Sequence, residues 1–143
     1  MTTARCPLCA LNESDALWAN DDCLVVSAKV AGVGTICRVI WRDHVREMSD
    51  LGAGARHAFM DVVFAVEAAM RDRARPAKMN LASLGNLVPH LHWHVIPRYE
   101  DDAYFPEAIW AEARRPGAHR PLSEDLLREA LSETLGQPRK SRL

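Results

Sequence analysis

The chain has 143 residues, is 48% hydrophobic and carries a formal charge of -1, which suits one domain able to bury a core without obligatory staples or metals. The balance of 18 Lys and Arg against 19 Asp and Glu leaves no broad basic field for a nucleic-acid backbone or an anionic membrane, so neither is expected as a partner and a small-molecule site is. The first nine residues lack a hydrophobic signal region, and no run approaches the ~20 apolar residues that span a bilayer, so a cytoplasmic location is expected.

Cys6-Pro7-Leu8-Cys9 has metal-ligand spacing, yet it supplies only half of the four ligands that a closed zinc site needs. The other two cysteines, Cys23 and Cys37, sit in apolar runs and read as small buried hydrophobes. Cys23 to Ser27 and Thr35 to Trp41 are short and rich in β-branched and apolar residues, with Gly32 and Gly34 between them, which predicts two adjacent antiparallel strands. From Ala55 to Ala74 the apolar positions Phe59, Val62, Val63, Val66 and Met70 recur at three and four. That spacing predicts a long amphipathic helix, stopped by Pro76, with His57 on its surface.

Lys78 to Leu84 reads as a third strand, Gly85-Asn86 as a turn, and Pro89 to Ile96 as a fourth strand ending at Pro97. Tyr104 to Arg115 carries Phe105, Ile109 and Trp110 and predicts a short helix or a covering flap. Ser123 reads as an N-cap, with Glu124 and Asp125 in the first turn and Leu122 stapling onto Leu127. The helix it opens runs to Leu135 and closes at Gly136 and Pro138. Residues 137–143 are polar and basic and are expected to fray. No repeat or linker divides the chain, so residues 1–143 read as one domain with a core at about 6–110 and a C-terminal extension at 111–143.

In His90-Leu91-His92-Trp93-His94-Val95-Ile96 three imidazoles alternate with apolar residues. On a strand of period two, His90, His92 and His94 share one face while Leu91, Trp93 and Val95 face the core. The imidazoles could work as a nucleophile with two helpers, as metal ligands, or as polar groups on a solvated face. The first needs a neutral ring nitrogen, and an unperturbed imidazole is about 90% neutral at pH 7.5. A central His92 can then attack without a separate base, its neighbours holding phosphate oxygens as charge develops.

The stretch Asn80 to Arg98 resembles the signature of the histidine triad (HIT) superfamily, His-φ-His-φ-His-φ-φ with φ apolar, and is most like its bacterial diadenosine tetraphosphate hydrolase-like branch. Arg38 to His44 is similar to the family's earlier strand ending in a histidine, and Asp50-Leu51 to the start of its long helix. The resemblance implies an α+β fold, an antiparallel sheet of about five strands with one long helix and a C-terminal helical extension, and a homodimer. It also implies hydrolysis or transfer at the α-phosphate of a purine nucleotide derivative, such as a dinucleoside polyphosphate or a nucleoside phosphoramidate, through a nucleotidyl-histidine. A nucleotide-binding or sensing module with weak turnover is the alternative.

Carried over residue by residue, the resemblance makes His92 the nucleophile. His90 and His94 would hold and protonate phosphate and leaving group, His44 would complete the relay, and Asn80, Gly85 and Asn86 would contact the phosphates. It further implies a structural zinc on Cys6, Cys9, His44 and His90, with no cofactor needed for the chemical step. Two departures stand out. Asn86-Leu87 replaces a pair that ends in a hydroxyl residue in many relatives, and Ser27-Ala28-Lys29 lacks the acid that usually grips the ribose, leaving Lys29 solvated or near a distal phosphate.

Overall fold

A computed structural model describes residues 2–138. It contains strands β1 (Trp18–Ala19), β2 (Cys23–Val30), β3 (Gly34–Trp41), β4 (Lys78–Ala82) and β5 (His92–Arg98), with helices α1 (Ala53–Ala74) and α2 (Glu124–Leu135). The strands form one antiparallel sheet in the order β1-β2-β3-β5-β4. This is the α+β architecture that the resemblance implies, an antiparallel sheet of five strands with one long helix and a C-terminal helix.

The two faces of the sheet follow from strand alternation. Val25, Cys37, Val39 and Val95 point to the helices and join Phe59, Val63, Val66 and Met70 of α1 and Leu127 and Leu131 of α2 in the main core. Burying such side chains stabilises by about 1.5–3 kcal/mol each, so this face holds the fold together. A smaller cluster on the other face, Val33, Ile36 and Ile96, is covered by Tyr104 and Ile109. The rest of that face is left for His92 and His94.

Both helices end where local chemistry says they should. Ser123 caps α2, its side chain accepting a hydrogen bond from the Leu126 N–H at 3.1 Å, and Leu122 packs against the core cluster that contains Leu127. Before Pro76, α1 closes on Arg75, which takes a left-handed conformation with φ of 47°.

The expected bounds of two strands need correction. Strand β5 begins at His92, not Pro89, because Leu91 bonds instead to the 41–45 segment: its N–H donates to Val45 O at 2.7 Å and its carbonyl accepts from Trp41 N at 3.1 Å. The strand also runs through Pro97 to Arg98. Pairing with β3 stops at Val95, so the missing proline N–H falls where β5 has a partner on one side only. Strand β4 stops at Ala82, short of Leu84, leaving 83–91 as a loop. Of the two alternatives for 104–115, a short helix or a covering flap, the chain forms no helix there but a series of turns. Within the 137–143 segment expected to fray, 139–143 lie outside the described residues.

Candidate active site and metal centre

Strand β5 presents His92 and His94 to one face, and both are buried. Their rings meet edge to face with centroids 4.8 Å apart. The Nδ1–H of His92 donates to the carbonyl of His90 at 2.5 Å. A carbonyl can only accept, so this bond selects the tautomer whose Nε2 carries a free lone pair. Burial lowers the proton affinity of His92, as do the nearby Arg38 charge and His90, while the bond to His90 O opposes them. The ring is therefore held neutral and aimed.

His92 lines a cleft of about 400 Å³ together with Ser83, Gly85, Asn86, Pro89 and Arg46. Gly85 is required there, because a Cβ would stand 2.9 Å from Val88 O and 3.4 Å from His92 Cε1. Ser83 donates to the His92 carbonyl at 3.1 Å, and Leu87 is 88% exposed on the same loop. A larger hollow beside Phe64 and Arg71 on the outer side of α1 touches no histidine.

His94 donates from Nε2 to Leu84 O at 3.3 Å, and its Nδ1 is buried without a hydrogen-bond partner. Burial first, then the His92 and Arg38 charges, push this imidazole down to about 4 against the opposing pull of Leu84 O. Trp110 of the 104–115 segment closes against it, ring centroids 4.9 Å apart, as the covering-flap expectation required.

His90 lies outside the strand and serves another centre. Its Nε2–H donates to Trp41 O at 2.6 Å, which leaves Nδ1 bare and directed at Cys6 Sγ (3.5 Å), Cys9 Sγ (3.4 Å) and His44 Nδ1 (3.2 Å). His44 Nδ1 is also 3.2 Å from Cys9 Sγ. All four donor atoms lie within 4.8 Å of one another. Tetrahedral zinc with bonds of about 2.0 Å to nitrogen and 2.3 Å to sulfur needs ligand edges of roughly 3.3–3.8 Å. The four spacings among His90, His44 and the thiols given above, 3.2–3.5 Å, sit close to that range, and a carbonyl-anchored imidazole is the usual supporting contact for such a ligand. Burial and the adjacent Cys6 push the Cys9 thiol up to about 11, a penalty that a divalent cation at this point removes. Cys6, Cys9, His44 and His90 thus form a group that can hold a structural zinc.

The other expected residues are dispersed. Asn80 is on the same sheet face as His94, but its Oδ1 accepts from Arg98 Nη1 at 2.8 Å and it does not line the cleft. Lys29 is exposed, and alternation puts it on the helix side of the sheet with Ser27, whose hydroxyl donates to Glu124; it cannot meet a phosphate at His92. Ala28 packs against the Val33, Ile36 and Ile96 cluster. Cys23 and Cys37 are buried thiols, each pushed up to about 12 by burial.

Two basic residues at the site lay outside the sequence expectations. Arg46 borders the cleft, and Arg38 is the cross-strand partner of His94. The signal for Arg38 was available: it is the one charge in the otherwise apolar run Gly34–Trp41.

Comparison with known proteins accords with this geometry. A family profile described as HIT domain matches residues 10–101. A histidine triad protein from Bradyrhizobium japonicum is 26% identical, the match covering 87% of this chain and 96% of that one with a TM-score of 0.69. One from Sinorhizobium meliloti is 20% identical over 94% of this chain and 100% of that one, also with a TM-score of 0.69. A Zn-bound histidine triad family protein from Mycobacterium smegmatis is 21% identical over 92% and 96%, with a TM-score of 0.63. No curated protein gives a significant sequence match. No helix among the described residues is long and apolar enough to cross a membrane. With the family profile covering most of the chain, His92 lining a cleft and His94 beside it on the same strand face, the chain belongs to the HIT domain family, with that family's nucleotide-binding or hydrolase type of function.

Proposed function

We propose that the protein is a nucleotide hydrolase or nucleotidyl transferase acting at the α-phosphate of a nucleoside phosphate derivative, with His92 as nucleophile. The observation that carries this reading is the His92 tautomer: Nδ1–H is tied to the His90 carbonyl, and Nε2 is left as a free lone pair in a ring that lines the cleft. As Nε2 bonds to phosphorus, the bond to the leaving group breaks, and the positive charge on the ring is met by the His90 carbonyl at Nδ1–H. Water or another acceptor then displaces His92 from the nucleotidyl-histidine.

Asn86 and the backbone beside Gly85 hold phosphate oxygens in this scheme, with Arg46 at the rim. His94 donates through Nε2–H, whose 3.3 Å bond to Leu84 O is long for an N–H···O bond and can be shared with substrate. His90 keeps a positioning role only, both ring nitrogens being engaged, and His44 takes the metal role instead of a relay. Cys6, Cys9, His44 and His90 would hold zinc, which would supply a structural crosslink; the Mycobacterium smegmatis relative is described as Zn-bound, which supports this assignment. The homodimer belongs to the same proposal, supported by the open outer edge of β4.

The test is chemical. After incubation with labelled nucleotide derivative and a quench, an acid-labile, base-stable nucleotide should be found on His92. His92→Ala should lose the adduct and turnover by roughly 1,000-fold or more, and full activity in that variant refutes the mechanism. A binding or sensing role is the second reading. The exposed Leu87 and the apolar surroundings of Ala28 favour it, and AMP binding without cleavage of any phosphoanhydride or phosphoramidate would establish it.

A further inference from the structure

Arg38 is a cation without a counter-ion on the histidine face. Its guanidinium has no hydrogen-bond or ion-pair partner among the described residues, and its Nε is buried without a partner. Every neighbour that alternation puts around it is uncharged or imidazole: Val26 pairs with it across β2, His94 across β5, and Ile36 and Ile40 flank it along β3. By contrast Arg98, which is fully buried, is matched by Asp102, which accepts from Nε at 2.8 Å and Nη2 at 3.0 Å. A half-buried, unneutralised guanidinium costs stability unless an anion completes it.

The residue directly opposite is equally incomplete. Because His94 donates Nε2–H to Leu84 O, its Nδ1 is a bare acceptor, buried and without a partner. The buried donor of Arg38 and the buried acceptor of His94 are thus presented side by side, one cross-strand step from the Ile40–His92 pair.

We propose that Arg38 is a substrate-contacting residue that binds the leaving group, and that this chain's substrates release an anionic, phosphate-terminated leaving group rather than an amine. The inference rests on the nucleotidyl-transfer reading above and narrows its substrate class to phosphoanhydrides such as dinucleoside polyphosphates. Chemically, the P–O bond to the leaving group breaks as the Nε2–P bond forms, and the bonding pair leaves on oxygen. That oxygen needs positive charge, which Arg38 supplies, and needs no proton. An amine leaving from a phosphoramidate takes the pair on nitrogen and must be protonated as it goes. The neighbouring His94 is a poor source of that proton, being held neutral by burial and by Arg38 itself.

The experiment compares kcat/KM of wild type, Arg38→Lys and Arg38→Met on diadenosine tetraphosphate and on an adenosine phosphoramidate of a simple amine. Wild type should prefer the phosphoanhydride. Arg38→Met should lose about 100-fold on it, as expected for removal of one charge-stabilising donor, and clearly less on the phosphoramidate, so that the preference for the phosphoanhydride falls by about 10-fold or more; Arg38→Lys should recover part of the loss. A thermal melt of each variant checks folding, which should hold because Arg38 has no protein partner to lose. Equal losses on both substrates, no loss on either, or a wild-type preference for the phosphoramidate overturn the proposal and leave the His92 mechanism standing. Failure of wild type to cleave either substrate overturns both, and full turnover by His92→Ala overturns the parent mechanism on its own.

Discussion

At the scale of single residues the site depends on carbonyl acceptors, which decide the chemical form of each histidine. His90 O, Leu84 O and Trp41 O accept from His92 Nδ1, His94 Nε2 and His90 Nε2. Each choice leaves a different nitrogen bare: one toward the cleft, one toward Arg38 and one toward the thiols. His90 joins the two centres, since its ring points at the cysteines while its own carbonyl fixes the tautomer of His92. Removing the metal ligands should therefore be felt at His92. Purified wild type should carry close to one zinc per chain, whereas Cys6→Ser should carry much less and lose turnover; metal analysis beside a rate assay reads both. Gly85 offers a sharper test of the cleft. A Cβ at 2.9 Å from Val88 O forces the loop away from His92, so Gly85→Ala should lower kcat/KM by about 10–100-fold with its melting temperature within a few degrees of wild type.

At the scale of elements, regular structure was legible in the sequence wherever one periodicity ran uninterrupted. The three-and-four spacing of Phe59, Val62, Val63, Val66 and Met70 gives α1 within two residues of its observed start, and Ser123 gives the first turn of α2. Where two demands met, the pattern misled. His90-Leu91 continues the alternation of β5, but Leu91 is paired with the 41–45 segment and the His90 ring is drawn to Cys6 and Cys9, partners more than 80 residues earlier in the chain. The two ligand cysteines were visible as a motif, yet their distance from the triad strand could not be read from spacing. Arg38 was visible as a lone charge, while its missing counter-ion is a tertiary fact. The end of α1 carries its own prediction. Arg75, exposed and at φ of 47°, occupies a conformation that costs a residue with a Cβ about 1 kcal/mol. Arg75→Gly should stabilise by up to that amount in denaturant unfolding, the gain being trimmed by the greater freedom of glycine in the unfolded chain.

At the scale of the whole molecule, the sheet keeps its two labours on opposite faces: one buries the helices, the other pays for chemistry with desolvated imidazoles and an unmatched guanidinium. That division has a pH signature. His94 sits at about 4 when folded, against about 6.5 for an unperturbed imidazole, because burial, His92 and Arg38 all oppose its charge. The unfolded chain therefore binds more protons than the folded one between these values, and stability rises with pH through that window. Stability due to this group is fully present above about 6.5 and is lost as pH falls toward 4, to the extent of about 2–3 kcal/mol. Loss of zinc in acid acts in the same direction, so the informative quantity is the difference between wild type and His94→Asn, whose metal ligands are identical. Denaturant midpoints measured from pH 7.5 to 4.5 should fall more steeply for wild type. Parallel curves would mean that the ring is not held neutral by its surroundings and that His94 is free to protonate a leaving group in place of Arg38.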